Sequence, residues 1–282
     1  MTIEELLKKS INILNEHEIE DAYLKAKILL MYILNVSKEY LIINKDIIIE
    51  EDKKLEFEFG IKKLCEHIPI QYITNHQEFY GSDFYVDNNV LIPQPDTEIL
   101  VEEVISIVST NYNFYNEKIK LLDLCAGSGA IGISLAKKIN NIDAFLSDIS
   151  DKALEIAKKN ADFNKTNVKI IKSDLFENIK EKNYDFIVSN PPYIETETIN
   201  TLPEEVKKEP KLALDGGIDG LVFYKRISKS AKDFLKNNCY LVLEIGYNQK
   251  ENVINILEKD GYKNIYCKND LSGNNRLIVA QK

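Results

Sequence analysis

The segment Ile119-Lys120-Leu121-Leu122-Asp123-Leu124-Cys125-Ala126-Gly127-Ser128-Gly129-Ala130-Ile131-Gly132 passes from an apolar run through a glycine-rich turn into helix-forming residues. That is the sequence form of a β-strand feeding an α-helix, and its repetition downstream determines the architecture. Residues 142–147 make the next strand-like run, with a helix opening at Asp151. Val168–Lys172 and Tyr184–Ser189 are two further strands. A helix is expected over 220–235, a strand over 240–245, a helix over 249–259, and two last strands around Ile265 and Leu277-Ile278-Val279. Repeated βα units predict a mostly parallel sheet with helices on both faces, and a closing hairpin joined by 269–275 adds an antiparallel edge. The fold class is α/β, with seven strands.

Upstream the texture differs. To about residue 68 there is no proline and one glycine, Gly60. Thr2 with Glu5 makes a capping box ahead of Leu6, Leu7, Ile11, Ile13 and Leu14 at helical spacing, and helical segments follow at 21–34, after Ser37, and at 51–68. These predict a small helical bundle over 1–70. A linker over 71–95 follows, in which Phe84-Tyr85-Val86 and Val90-Leu91-Ile92-Pro93 form a β-hairpin that turns at Asp87-Asn88-Asn89. The α/β domain is expected over 96–282. It opens with a helix carrying Ile99, Leu100, Val104 and Ile107 to about Ser109, then a polar, aromatic loop over 111–116.

The 282 residues suffice for one large or two modest domains, and 44% hydrophobic with 29% charged residues is ordinary for a soluble protein. No apolar stretch approaches the roughly 18–20 residues that span a bilayer, and Met1-Thr2-Ile3-Glu4-Glu5 lacks the basic start of a signal peptide, so a cytoplasmic protein is expected. Cys65, Cys125, Cys239 and Cys267 are scattered and only three histidines occur, which indicates neither a disulfide framework nor a metal site. A net charge of −9 argues against gripping long nucleic acid through its phosphates.

Gly127, Gly129 and Gly132 sit where a strand ends and a helix begins, the edge at which open α/β sheets bind ligands. The string also fits a dinucleotide site. Asp148 ends the next strand, where a carboxylate can accept both hydroxyls of a ribose, or cap the helix after it. Asp174 ends the third, where it can hold an adenine amino group or stand as a solvated loop acid. Cys125 reads as a small pocket-lining residue, since no base lies nearby in sequence. Nicotinamide chemistry and methyl transfer from S-adenosylmethionine compete as cofactor readings. Asp123 ahead of the glycines favours the second, because a carboxylate there suits a cation better than a pyrophosphate.

The strand Tyr184–Ser189 runs into Asn190-Pro191-Pro192-Tyr193. Pro191 excludes Asn190 from helical space, and neither proline has an N–H. The exit therefore offers a carboxamide, exposed carbonyls and an aromatic face: Asn190 and the Pro191 carbonyl can accept from an –NH₂ group while Tyr193 stacks on a planar substrate.

With these motifs the chain resembles the class I, Rossmann-like S-adenosylmethionine-dependent methyltransferases, and within them the peptide chain release factor N5-glutamine methyltransferases. The likeness covers nearly the full length. It includes Gln71-Tyr72-Ile73, Glu78 to Gly81, Leu91-Ile92-Pro93, Asp96-Thr97-Glu98, the loop from Asp123 to Gly129, Ser173-Asp174, Asn190 to Tyr193, Glu209-Pro210, Ala213-Leu214, Gly216-Gly217, Asp219-Gly220-Leu221 and Gly273 to Arg276. It implies a protein-(glutamine-N5) methyltransferase acting on the Gly-Gly-Gln loop of class I release factors, with S-adenosyl-L-homocysteine as product. It implies Asn190, Pro191 and Tyr193 as catalytic, with Pro192 beside them against the substrate. Asp123, Cys125, Ala126, Gly127, Ser128, Gly129, Asp148, Asp174, Leu175 and Asn190 would hold the cofactor. The helical domain would dock the release factor, or alternatively serve as a stabilising or oligomerising appendage; a monomer without sequence-specific nucleic-acid binding is expected. Two positions depart from the family pattern: Gln94 where arginine is usual, and Cys125 where glycine is usual. The rival readings are an adenine-N6 nucleic-acid methyltransferase, which would flip its base into the same pocket, and a dinucleotide-binding oxidoreductase or non-catalytic adenosine sensor, which leaves Asn190 to Tyr193 unexplained.

Overall fold

The computed structural model describes residues 1–110 and 118–282; the loop expected at 111–116 lies outside the described residues. The chain forms two compact units, Met1–His76 with Pro203–Lys208, and Gln77–Leu202 with Glu209–Lys282.

The first unit is helical: α1 Ile3–Glu16, α2 Ala22–Leu34, α3 Lys38–Ile43, α4 Glu51–Cys65 and α5 Ile70–Thr74. The capping box at α1 is formed, with Glu5 N–H donating to Thr2 Oγ1 at 3.2 Å and Thr2 N–H to Glu5 Oε2 at 3.0 Å. Leu6, Leu14, Leu30, Phe57 and Leu64 bury together as this unit's core. The returning segment Pro203–Lys208 is held to α2 by the Lys25–Glu205 ion pair. Helix α4 stops three residues short of the expected end. His67 turns left-handed at φ 57° and Ile68 N–H donates back to Lys63 O at 3.1 Å, as a chain must when Pro69 forbids helix before it. Pro69 then caps α5, which crosses the boundary expected at residue 70.

In the second unit the hairpin lies earlier than expected. Strands β1 Gln77–Phe79 and β2 Ser82–Phe84 pair antiparallel, Phe79 opposite Ser82. The two-residue connection Tyr80-Gly81 has φ of 50° and 69°, the double positive φ that matches strand twist. Its hydrogen bonds are completed by Glu98, which takes the Tyr80 N–H at 2.8 Å, and Glu78, which takes the Gly81 N–H at 2.7 Å. Asp87 instead makes a local turn, accepting Asn89 N–H at 2.9 Å, and residues 85–93 form no strand.

The rest is α6 Glu98–Thr110, β3 Ile119–Leu124, α7 Ala130–Lys138, β4 Ile142–Asp148, α8 Asp151–Phe163, β5 Val168–Lys172, β6 Tyr184–Ser189, α9 Lys211–Leu214, α10 Val222–Ala231, β7 Leu235–Glu244, α11 Lys250–Lys259, β8 Lys263–Asn269 and β9 Asn275–Gln281. The sheet order is β5-β4-β3-β6-β7-β9-β8; the first five strands are parallel and β9 runs antiparallel to both neighbours. Strand β7 begins five residues before the expected 240, across a register shift opposite Tyr184–Phe186, which shortens the preceding helix. Central strands bury side chains on both faces: every residue of β6 is buried, and Leu121, Leu122 and Leu124 of β3 are fully covered.

This order sets the site. The chain builds outward from β3 to β4 and β5, then crosses back to lay β6 on the other flank of β3. Connections leaving β3 and β6 therefore diverge and open a crevice at the strand ends. Leu124 pairs with Ser189 at the last register position, so Cys125 and Asn190 leave the sheet side by side. Ser189 Oγ donates to Leu124 O at 2.7 Å and locks the two exits together.

No helix among the described residues is long and apolar enough to cross a membrane.

Candidate functional site

The crevice is a cavity of about 270 Å³ whose walls include Cys125, Gly127, Asp148, Ser150, Asp174, Leu175, Asn190 and Pro192. Asn88 to Leu91 close one side, and Pro210, Leu212, Ala213, Phe223 and Arg226 another. These two covers are joined by Glu209, whose Oε2 accepts the Ile92 N–H at 2.9 Å.

Asp148 serves the loop and the cavity together. Oδ2 accepts Gly127 N–H and Oδ1 accepts Ser150 N–H, each at 2.9 Å, while Ser150 Oγ caps α8. A carboxylate has about four lone-pair sites, so each oxygen keeps capacity toward the cavity. Burial raises its pKa, opposed by these backbone donors. Asp174 gives Oδ1 to Arg226 Nη2 at 2.8 Å, leaving Oδ2. The glycine loop is further held by buried Asn160, which donates to Ser128 O at 2.9 Å and Tyr85 O at 3.0 Å and accepts Tyr85 N–H at 2.7 Å.

The family departure at Cys125 has a backbone cost: its φ is 57°, in the left-handed region. Cys125→Gly is expected to stabilise the fold by up to about 1 kcal/mol, read as a rise in Tm of roughly 2–4 °C. Burial pushes the Cys125 thiol pKa up, which agrees with a lining role and opposes a thiolate.

Asp123 is not in the cavity wall. It is 0% exposed beneath the loop, where Oδ2 accepts the Gly132 N–H at 2.9 Å and Oδ1 has no partner among the described residues. It lies in the strand, one residue before the exit, and its side chain turns under the first turn of α7 and braces that turn. Ala126, Ser128 and Gly129 likewise build the inner turn of the loop, with Gly129 N–H on Ala126 O at 2.8 Å, and are absent from the wall.

At the β6 exit, Asn190 and Pro192 face the cavity, whereas Pro191 and Tyr193 lie outside its wall. Among the described residues no N–H or O–H donates to the Pro191 carbonyl. The segment after it is pinned: Gln249 Nε2 donates to Tyr193 O at 2.9 Å, and Gly216 N–H to Ile194 O at 2.8 Å. A Cβ at 216 would stand 2.7 Å from Tyr193 Cα, so this approach requires glycine. The Asn190 side chain is also fixed, since Nδ2 donates to Thr97 Oγ1 at 3.3 Å and Thr97 Oγ1 to Glu244 Oε2 at 2.6 Å. Burial lifts Glu244 to about 7, against the pull of Thr97, Arg276 and the Asn190 amide, which also bonds to it, and lifts Glu209 to about 7 and Asp123 to about 8.

Thr97, Glu244, Asn160 and Gln249 support the site without a sequence signal of that role: Thr97 sits in Asp96-Thr97-Glu98, and nothing in sequence places the end of β7 against the turn before α6.

The raised carboxyls of Asp123, Glu209 and Glu244, with Asp148 shifted the same way, make stability pH-dependent. Their ordinary values are 3.8 for Asp123 and 4.5 for both glutamates. Between about pH 4.5 and 8 the folded chain therefore holds more of these protons than the unfolded chain, and stability falls as pH rises. Thermal unfolding is expected to give a lower Tm at pH 8 than at pH 5.5, and Glu209→Gln to reduce that slope.

Residues 97–218 match the family model "Methyltransferase small domain" and residues 5–74 the model "PrmC N-terminal domain". A release factor glutamine methyltransferase of Clostridium acetobutylicum is 40% identical, covering 99% of this chain and 98% of the relative. The fold is shared with a methyltransferase from Pyrococcus furiosus, at TM-score 0.53 and 16% identity over 83% of this chain and 99% of the other. It is shared also with a Thermus thermophilus 16S rRNA methyltransferase solved with AdoMet and guanosine, at TM-score 0.53 and 17% identity over 73% of this chain and 49% of the other. The chain is thus a methyltransferase and belongs to the release factor glutamine methyltransferase family.

Proposed function

We propose that this enzyme transfers a methyl group from S-adenosyl-L-methionine to the side-chain amide nitrogen (N5) of the glutamine in the Gly-Gly-Gln loop of bacterial class I peptide chain release factors. The observation that carries the reading is the shared register of β3 and β6. It sets the glycine loop and Asn190 at adjacent strand ends and opens both onto one cavity.

The donor set fits an adenosyl group. Asp148 keeps acceptor capacity for ribose hydroxyls, Asp174 Oδ2 can take an adenine amino group, and Leu175 and Phe223 supply apolar wall. When bound, S-adenosylmethionine supplies an electrophilic sulfonium methyl.

A carboxamide nitrogen is a weak nucleophile because its lone pair is delocalised into the carbonyl. Asn190 Oδ1 and the Pro191 carbonyl accept its two N–H bonds, which aligns the nitrogen and favours its pyramidal form. Such positioning is worth up to roughly 7–11 kcal/mol in well-oriented systems, and oriented dipoles add to it. No strong base is required, because the nitrogen becomes acidic once alkylated. Tyr193 packs against the glutamine, and the helical unit docks the release factor.

Incubation with methyl-labelled S-adenosylmethionine and recombinant release factor tests this. Label is expected on the wild-type factor and absent from a factor whose loop glutamine is alanine. Equal labelling of both, or transfer to nucleic acid instead, contradicts it.

A further inference from the structure

A carboxamide is nearly symmetric in shape but not in chemistry. One end accepts and the other donates, and a half-turn about the last side-chain bond exchanges them. Only the orientation with Oδ1 toward the substrate can accept an amide N–H, so something must hold the Asn190 side chain against that half-turn.

Thr97 occupies the short turn Pro95–Thr97 ahead of α6 and is 4% exposed; Glu244 ends β7 and is 3% exposed. An ionised carboxylate only accepts, so at 2.6 Å it claims the single hydroxyl proton of Thr97. Thr97 Oγ1 then has only lone pairs for its other neighbour, and that neighbour must present N–H. Asn190 Nδ2 lies 3.3 Å away in that position, so Oδ1 is turned to the opposite side. We propose that Thr97 and Glu244 are positioning residues of the methyl transfer, a two-step hydrogen-bond relay that keeps the accepting end of Asn190 toward the substrate nitrogen. The proposal rests on the amide-substrate reading above.

The groups around Glu244 agree with an accepting role. Arg276 from β9 faces it, itself paired with Asp96 at 3.1 Å and Asp270 at 3.0 Å, and Asp96 repels its charge; the Asn190 amide also bonds to Glu244 directly, in the same orientation the relay sets, Tyr193 is near, and Tyr224 donates to the Glu244 backbone carbonyl at 3.0 Å. Protonation of Glu244 would reverse the relay: the acid would donate to Thr97 and free the Thr97 proton for Asn190. With burial lifting the carboxyl, against the arginine, this reversal falls at working pH.

The test compares Thr97→Val, which keeps shape and loses the hydroxyl, with Thr97→Ser, which keeps it, and adds Glu244→Gln, which still accepts but does not titrate. Thr97→Val is expected to lower kcat roughly 10- to 100-fold with KM for the release factor and calorimetric affinity for S-adenosylhomocysteine little changed. Thr97→Ser is expected to restore most of the loss. Wild-type kcat is expected to fall below about pH 7, near the Glu244 value, with the fall absent in Glu244→Gln. Wild-type kcat in Thr97→Val, no rescue by serine, or parallel loss of affinity would overturn the relay. The Asn190 side-chain amide resonance, followed by nitrogen-edited NMR without substrate, separates the two readings. If wild-type enzyme transfers nothing to release factor, the substrate reading fails. The relay still stands if that resonance moves in Thr97→Val and returns in Thr97→Ser, and falls if it is the same in all three.

Discussion

Replacing Asn190 with alanine is expected to lower kcat for methyl transfer roughly 100- to 1,000-fold, the scale seen when one preorganised hydrogen-bonding group is removed from a reacting centre. The substitution removes one of two acceptors for the substrate N–H bonds and leaves the Pro191 carbonyl in place, so a residual rate survives. It does not disturb the strand, because Ser189 Oγ still holds Leu124 O and Gln249 still holds Tyr193 O. S-adenosylhomocysteine should therefore bind within a few-fold of wild type, since its other wall residues are untouched. Single-turnover transfer and calorimetry on one preparation check the pair of expectations. Asn190→Asp should be nearly as slow: it keeps the shape but sets a second oxygen against Thr97 Oγ1.

Asp148→Ala is expected to weaken S-adenosylhomocysteine at least about 100-fold and to lower Tm by roughly 4–8 °C. Two effects combine. The ribose acceptors disappear, and the Gly127 and Ser150 N–H groups, both now bonded at 2.9 Å, lose their partners. Both residues are half-buried on the cavity wall, so each lost bond costs the net value of about 0.5–1.5 kcal/mol, and a kilocalorie in a chain of this size moves Tm by about 2–4 °C. Loosening of the loop should also relax the Cys125 backbone, now held at φ 57°. Asp148→Asn keeps one accepting oxygen and should fall between. Unchanged affinity in the alanine variant, measured by calorimetry, would remove Asp148 from the cofactor site.

The sheet was legible because its strands are apolar runs stopped by glycine, proline or acid, and three of them, at 119–124, 168–172 and 184–189, begin and end where expected. The hairpin was misplaced for a local reason. Asp87-Asn88-Asn89 looks like a turn and makes one, but the strand pairing goes to Tyr80-Gly81, where positive φ falls on a bulky aromatic residue that turn preferences do not select. Asp123 was recognisable as important from its place before the glycines. Its direction was not, because strand alternation decides which face it meets and the loop conformation decides what lies there. The relay to Asn190 was least legible: Thr97 and Glu244 are 147 positions apart and become neighbours only through the sheet order.

If the Asn190 exit grips a protein glutamine beside the methyl donor, mass-spectrometric mapping of release factor treated with this enzyme and S-adenosylmethionine will show where the methyl goes. One added methyl on the glutamine of the Gly-Gly-Gln loop, lost with Asn190→Ala, is the predicted result; methylation at any other residue, or the same modification by Asn190→Ala, would contradict it.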